Sequence, residues 1–134
     1  MGISKDRTKI VKDLINAGAE LDATLDARDK TGRTPLHEAS IKGNTAVVQL
    51  LIEKGADVKA IDNNGNTPLH EAAANGNTQM AQLLIDAKAE VKAINKKFFA
   101  PLHTAVVFYK NQETINLLYP LHFPKPNQPK NEEA

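Results

Sequence analysis

Cysteine and tryptophan are both absent from this chain of 134 residues. Without cysteine there is no disulfide scaffold, no thiolate metal site and no sulfur nucleophile. Aromatic residues are scarce, at four Phe and two Tyr. Neither sign of charge dominates, since 17 Lys and Arg face 16 Asp and Glu. So close a balance gives no global attraction to nucleic acid or to an anionic membrane. No apolar run approaches the ~20 residues of a membrane span, and the N-terminus shows no apolar signal-peptide core. A single domain of the cytoplasm is the expectation, binding neither nucleic acid nor membrane. Catalytic signatures are missing too: there is no Gly-x-Ser-x-Gly, no Gly-rich phosphate loop and no Cys/His pair. An enzyme would lack both nucleophile and cofactor cradle, so no catalysis and no cofactor are expected.

What the chain does have is a period. Thr34-Pro35-Leu36-His37, Thr67-Pro68-Leu69-His70 and Ala100-Pro101-Leu102-His103 are spaced 33 residues apart. Asp29-Lys30-Thr31-Gly32 and Asp62-Asn63-Asn64-Gly65 precede the first two, and Leu50-Leu51-Ile52 and Leu83-Leu84-Ile85 follow in step. Thr34 and Thr67 are good N-caps, and the proline after each falls where a missing N–H costs nothing. His37 and His70 then occupy the third helical position, where a capping side chain reaches back to the cap. Gly43 and Gly76 close these short helices, and Asn44 and Asn77 open second ones carrying Val47, Val48, Leu51 and Met80, Ala81, Leu84 at helical spacing. Stacked units would align Leu14, Leu51, Leu84 and Leu118 in one ladder and Leu36, Leu69 and Leu102 in another.

With this period and this tetrapeptide, the chain resembles an ankyrin-repeat protein over about residues 6–119. The resemblance implies an all-α solenoid of paired short helices with hairpin fingers. The units read as a partial repeat at 6–28, full repeats at 29–61 and 62–94, and a divergent capping repeat at 95–119. A helix over 6–17 forms either a natural polar cap or the cut end of a longer array, and the cap is preferred. Residues 120–134 hold four of the seven prolines and read as a disordered tail starting at Pro120. A Pro-x-x-Pro match at Pro126 and Pro129 is read as part of that solvated tail.

The repeats also depart from one another. Leu21-Asp22-Ala23-Thr24 recurs as Leu25-Asp26-Ala27-Arg28, lengthening the first finger as a tolerated slip or as a contact loop. Lys88 stands in the place of Gly55, where a left-handed backbone costs a side chain about 1 kcal/mol or more, so the end of the second repeat is expected to be strained or rearranged. Phe98 replaces the glycine of the third finger, and the turn after the third short helix gains a residue. All six aromatics fall within residues 98–123. They are read as a cover for the open end of the stack, with self-association through a sticky end as the alternative.

The histidines beside Glu38 and Glu71 are read as structural caps, together with Thr34, Thr67 and His103. Helices of neighbouring repeats lie ~8–10 Å apart, too far for ladder imidazoles to share a zinc ion. The resemblance further implies a non-catalytic protein–protein interaction module that uses its finger tips and the inner face of its first helices. Carried over position by position, that surface comprises Arg28, Lys30, Thr31, Arg33, Ile41 and Lys42 in the first unit. The second contributes Ile61, Asn63, Asn64, Asn66, Ala74 and Asn75. The third adds Ile94, Lys96, Lys97, Phe99, Val107 and Phe108. Six of the 17 basic residues and no acidic one belong to this set, which points to an acidic segment of a partner protein. Asp26, Asp29, Glu38, Asp62 and Glu71 lie nearby and would blunt the field. A monomer or weak homodimer is expected, and an effector of an intracellular bacterium acting on host proteins is a further reading that the resemblance allows.

Overall fold

A computed structural model describes residue 25 and residues 27–124. The helix expected at 6–17, with Leu14, the first copy of the duplicated tetrad and the tail beyond residue 124 lie outside the described residues. Six helices make up the described chain: α1 Pro35–Lys42, α2 Thr45–Glu53, α3 Pro68–Asn75, α4 Thr78–Asp86, α5 Pro101–Phe108 and α6 Gln112–His122. No strand occurs among the described residues, and the fingers are built from turns. The architecture is the all-α solenoid that the period implied.

Helices of eight to eleven residues are too short to stand alone, so each must be fixed at its ends and buried along one face. The ends are set locally. Thr34 and Thr67 accept the N–H of His37 and His70, while Asn44 and Asn77 accept those of Val47 and Met80. Gly43 and Gly76 end α1 and α3 at φ of 73° and 68°. At Gly76 a β-carbon would also sit 2.5 Å from Lys110 Cβ, so the following repeat's turn enforces the glycine.

The buried faces are the two expected ladders: Leu36, Leu69 and Leu102 along the inner row, Leu51, Leu84 and Leu118 along the outer. Each such leucine contributes about 1.5–3 kcal/mol by leaving water, and truncating Leu69 to Ala would cost about 2–5 kcal/mol. The inner helices α1, α3 and α5 pack more closely than the outer ones. Ser40, Ala72, Ala73 and Ala105, all buried, permit that approach. Leu25, from the second copy of the duplicated tetrad, is buried in the same core.

The fingers repeat one device. Asp29, Asp62 and Asn95 each turn a side-chain oxygen onto the N–H groups two and four residues ahead. Successive fingers are then stitched by backbone bonds, from Asn63 N–H to Thr31 C=O and from Lys96 N–H to Asn64 C=O.

Among the described residues three side chains occupy left-handed backbone. Lys88 has φ 77°, Phe98 φ 67° and Tyr109 φ 44°, at the places where the preceding repeat has Gly55, Gly65 and Gly76. Lys110 is the added residue, since Asn111 caps α6 through the N–H of Glu113.

Two expectations are corrected. The last helix does not stop at residue 119: α6 runs through Pro120 to His122, and Phe123 N–H closes it on Tyr119 C=O at 2.8 Å. Proline's fixed φ is helical, and the bond it removes would reach the carbonyl of Asn116, whose residue is exposed and can be solvated. Nor do the aromatics cover the end of the stack. Phe98, Phe108, Tyr109, Tyr119 and Phe123 are all exposed, Phe98 to 78%, and Phe99 alone is half-buried. Phe98 and Tyr109 sit in left-handed turns, and Tyr119 and Phe123 pair with each other one helical turn apart, ring centroids 5.2 Å apart.

Candidate functional site

The signature histidines are embedded in backbone. Nδ1 of His37, His70 and His103 accepts the N–H of Thr34, Thr67 and Ala100 at 3.2, 3.1 and 2.9 Å. A backbone N–H can only donate, so Nδ1 carries the lone pair and the proton sits on Nε2. That proton reaches the next repeat: His37 Nε2 donates to Asn66 C=O and His70 Nε2 to Phe99 C=O, both at 2.8 Å. Burial holds both imidazoles below the ordinary range, which keeps them neutral for these two bonds. With both nitrogens engaged, neither ring has a lone pair to offer a metal. The capping role was legible in the sequence, whereas the bond between repeats was not.

The residues carried over as a binding surface divide into two groups. Asn64, Asn66, Lys96, Lys97 and Phe99 line one cavity of about 430 Å³ between the second and third repeats, as do Ala74, Val107 and Phe108. The second group is partly occupied in holding the solenoid. Arg28 donates to Gly32 C=O and Ile61 C=O, and Asn63 Nδ2 donates to Lys30 C=O. Asn75 Nδ2 bonds Ile41 C=O at 2.9 Å, and half-buried Arg33 faces buried Asp62 at 3.8 Å. Lys30, Thr31 and Lys42 are exposed but do not line the cavity. Sequence reasoning missed four lining residues: His70, Glu71, Asn95 and Thr104.

Glu71 is the unusual one. Its Oε2 is buried with no hydrogen-bond partner. Burial pushes the carboxyl up from an ordinary 4.5 to about 7; Arg33 opposes the rise, and the negative charges of Asp62 and Glu38 add to it. The sequence signal was present, for Glu71 directly follows the signature histidine on α3. There it was weighed as a carboxylate beside a ladder histidine, where the capping reading was preferred, and as a brake on the basic surface. Lys96 and Lys97 are exposed at the third finger and give the cavity a basic rim around this carboxyl.

A family profile described as ankyrin repeats (3 copies) matches residues 2–95 and, overlapping them, 59–130. Among curated relatives, a 60 kDa lysophospholipase of Mus musculus is 44% identical over 43 residues, covering 32% of this chain and 8% of that protein. An ankyrin repeat and KH domain-containing protein of Caenorhabditis briggsae is 37% identical over 57 residues, covering 42% of this chain and 2% of that one. The chain thus spans less than a tenth of either relative, and the activity in the first one's name belongs to that protein. No helix among the described residues is long and apolar enough to cross a membrane.

Proposed function

The chain belongs to the ankyrin-repeat family, and from that premise we propose that it is a non-catalytic protein–protein interaction module working through its finger tips and the concave face of α1, α3 and α5. Repeats of this family generally serve protein binding. The observation that carries the reading is the cavity between the second and third repeats, which gathers Asn64, Asn66, Lys96, Lys97 and Phe99 from separate elements. Its walls are held by bonds between repeats, so the surface is formed before a partner arrives and little ordering entropy is lost on binding. The exposed lysines of the rim suit acidic residues in a partner segment. A cytoplasmic setting is part of the same proposal.

The test is a paired capture from the source cytosol, wild type beside Lys30→Glu/Lys96→Glu/Lys97→Glu, with bound proteins identified by mass spectrometry. Arg33 is left intact because it faces buried Asp62, and its reversal would disturb the fold. A protein bound by wild type and lost by the variant supports the reading; identical captures overturn it. A second reading, self-association through the C-terminal end, is favoured by exposed Tyr119, Leu121 and Phe123. Sedimentation velocity across a concentration series decides it, since a sedimentation coefficient that does not change excludes a dimer formed through this end.

A further inference from the structure

The cavity between the second and third repeats combines features that together select one kind of side chain. Glu71 lines the cavity with a carboxyl, one of whose oxygens is buried without a hydrogen-bond partner; the charge of Arg33, whose own Nε is likewise buried and without a hydrogen-bond partner, offsets only part of the cost of that burial. Phe99, Phe108 and Val107 supply aromatic and aliphatic wall. Asn64 and Asn66 line it on the finger side, where Asn66 Oδ1 accepts from Asn95 Nδ2 at 2.8 Å. A carboxylate denied water is costly unless a cation pairs with it. Aromatic faces attract cations, and an apolar wall accommodates a hydrocarbon stem.

We infer that this cavity receives an arginine side chain of the partner protein, its guanidinium pairing with the Glu71 carboxylate and its stem lying along the apolar wall. The inference rests on the interaction-module reading and narrows the partner to a segment carrying an arginine, with acidic neighbours suited to Lys96 and Lys97 at the rim. Arginine fits better than lysine because the guanidinium is planar, weakly hydrated and able to stack on an aromatic ring while it bonds a carboxylate. The rim lysines do not cancel the attraction, for they are exposed and screened over ~8 Å at physiological salt.

A proton competes with the arginine. In the free protein Glu71 is half protonated near pH 7, and the arginine must displace that proton to pair. The charged and titratable groups around Glu71 are Glu38 on α1, Arg33 and Asp62 at the first two fingers, His70 on α3, and Lys96 and Lys97 on the third finger. Burial keeps His70 neutral down to below its ordinary range, so Glu71 dominates the response above that point. Affinity therefore rises with pH, by about tenfold from pH 6 to pH 8 for one group centred near 7.

The experiment is an NMR titration of the isotope-labelled full chain with N-acetyl-arginine amide, beside the neutral isostere N-acetyl-citrulline amide. The expected result is saturable shifts at the amides of Asn64, Asn66 and Thr104 with the arginine probe alone, about tenfold weaker near pH 6 than near pH 8. They should be lost in Glu71→Gln, whose spectrum elsewhere reports an intact fold, and weakened in Phe99→Leu. Equal shifts with citrulline, a full response in Glu71→Gln, or no saturable response overturns the inference. An arginine-silent cavity in a chain that still captures a partner through its lysines refutes this inference alone. Absence of any lysine-dependent partner refutes the broader reading, whatever the cavity binds.

Discussion

Replacing Glu71 with Gln isolates the energetic cost of a buried carboxyl. In the folded chain its pKa is about 7, against an ordinary 4.5 that the unfolded chain retains. Between those values the folded state holds a proton that the unfolded state has released, so stability falls as pH rises through the window. The associated stabilisation is complete below about pH 4.5 and gone above about pH 7. A rise of that size corresponds to roughly 3 kcal/mol at 1.36 kcal/mol per tenfold change in proton affinity. Glu71 is only partly buried, and solvent screening reduces the figure to about 2 kcal/mol. Glutamine cannot ionise, so the variant escapes this loss. It also brings an amide of its own, which costs the same at every pH. The useful quantity is thus the difference in unfolding free energy between Glu71→Gln and wild type at about pH 8, minus the same difference at about pH 5; about 2 kcal/mol in favour of the variant is expected. Urea denaturation at the two pH values measures it. His37 and His70 act oppositely, since pKa values lowered by burial remove stability as pH falls below their ordinary 6.5. They are common to both chains and cancel. A difference that does not change with pH would mean that Glu71 is wetted and ionised at neutral pH, and would remove the physical basis of the arginine pocket.

Two further outcomes follow from the same packing. His70→Ala should cost about 3 kcal/mol by removing both a cap and the bond to the next finger. His103→Ala should cost nearer 1 kcal/mol, since the hydrogen bond described for its ring is the cap to Ala100; equal losses in urea would show that the bond between repeats contributes nothing. Lys88→Gly and Phe98→Gly should each raise stability by about 1 kcal/mol by relieving left-handed backbone. A lower melting temperature in either would mean that the side chain makes contacts worth more than the strain.

What the chain discloses one residue at a time concerns its helices and their ends. Thr67 before Pro68, Gly76 before Asn77 and Leu69 one period from Leu36 specify where a helix starts, where it stops and which face is buried. Caps act within four residues, and a repeat tells each unit what its neighbour looks like. Even a breach of the pattern could be read this way, since Lys88 in glycine's register implied an end either strained or rearranged, and the backbone takes the strained form. Pro120 shows the limit of local rules. Its propensity argues for a stop, yet at an exposed last turn one missing hydrogen bond is too small a loss to end α6.

The candidate site was half legible for the same reason. The 33-residue register placed Lys96, Lys97 and Phe99 on a finger tip and Asn64 and Asn66 on the one before it. No local rule could say that Arg28 would be spent on Ile61 C=O or Asn75 on Ile41 C=O, because those acceptors lie a full repeat away. The aromatics were misjudged likewise, for a composition says that rings are near the end of the chain and not which way they point. Sequence by itself thus determined the solenoid, its family and the histidine capping of its signature helices, all matters of periodicity and short-range hydrogen bonding. Only the stacked structure decided that one Glu71 oxygen is cut off from water in a cavity that two exposed lysines also line, because desolvation depends on every neighbouring atom that fills the space and not on the residues adjoining it in the chain.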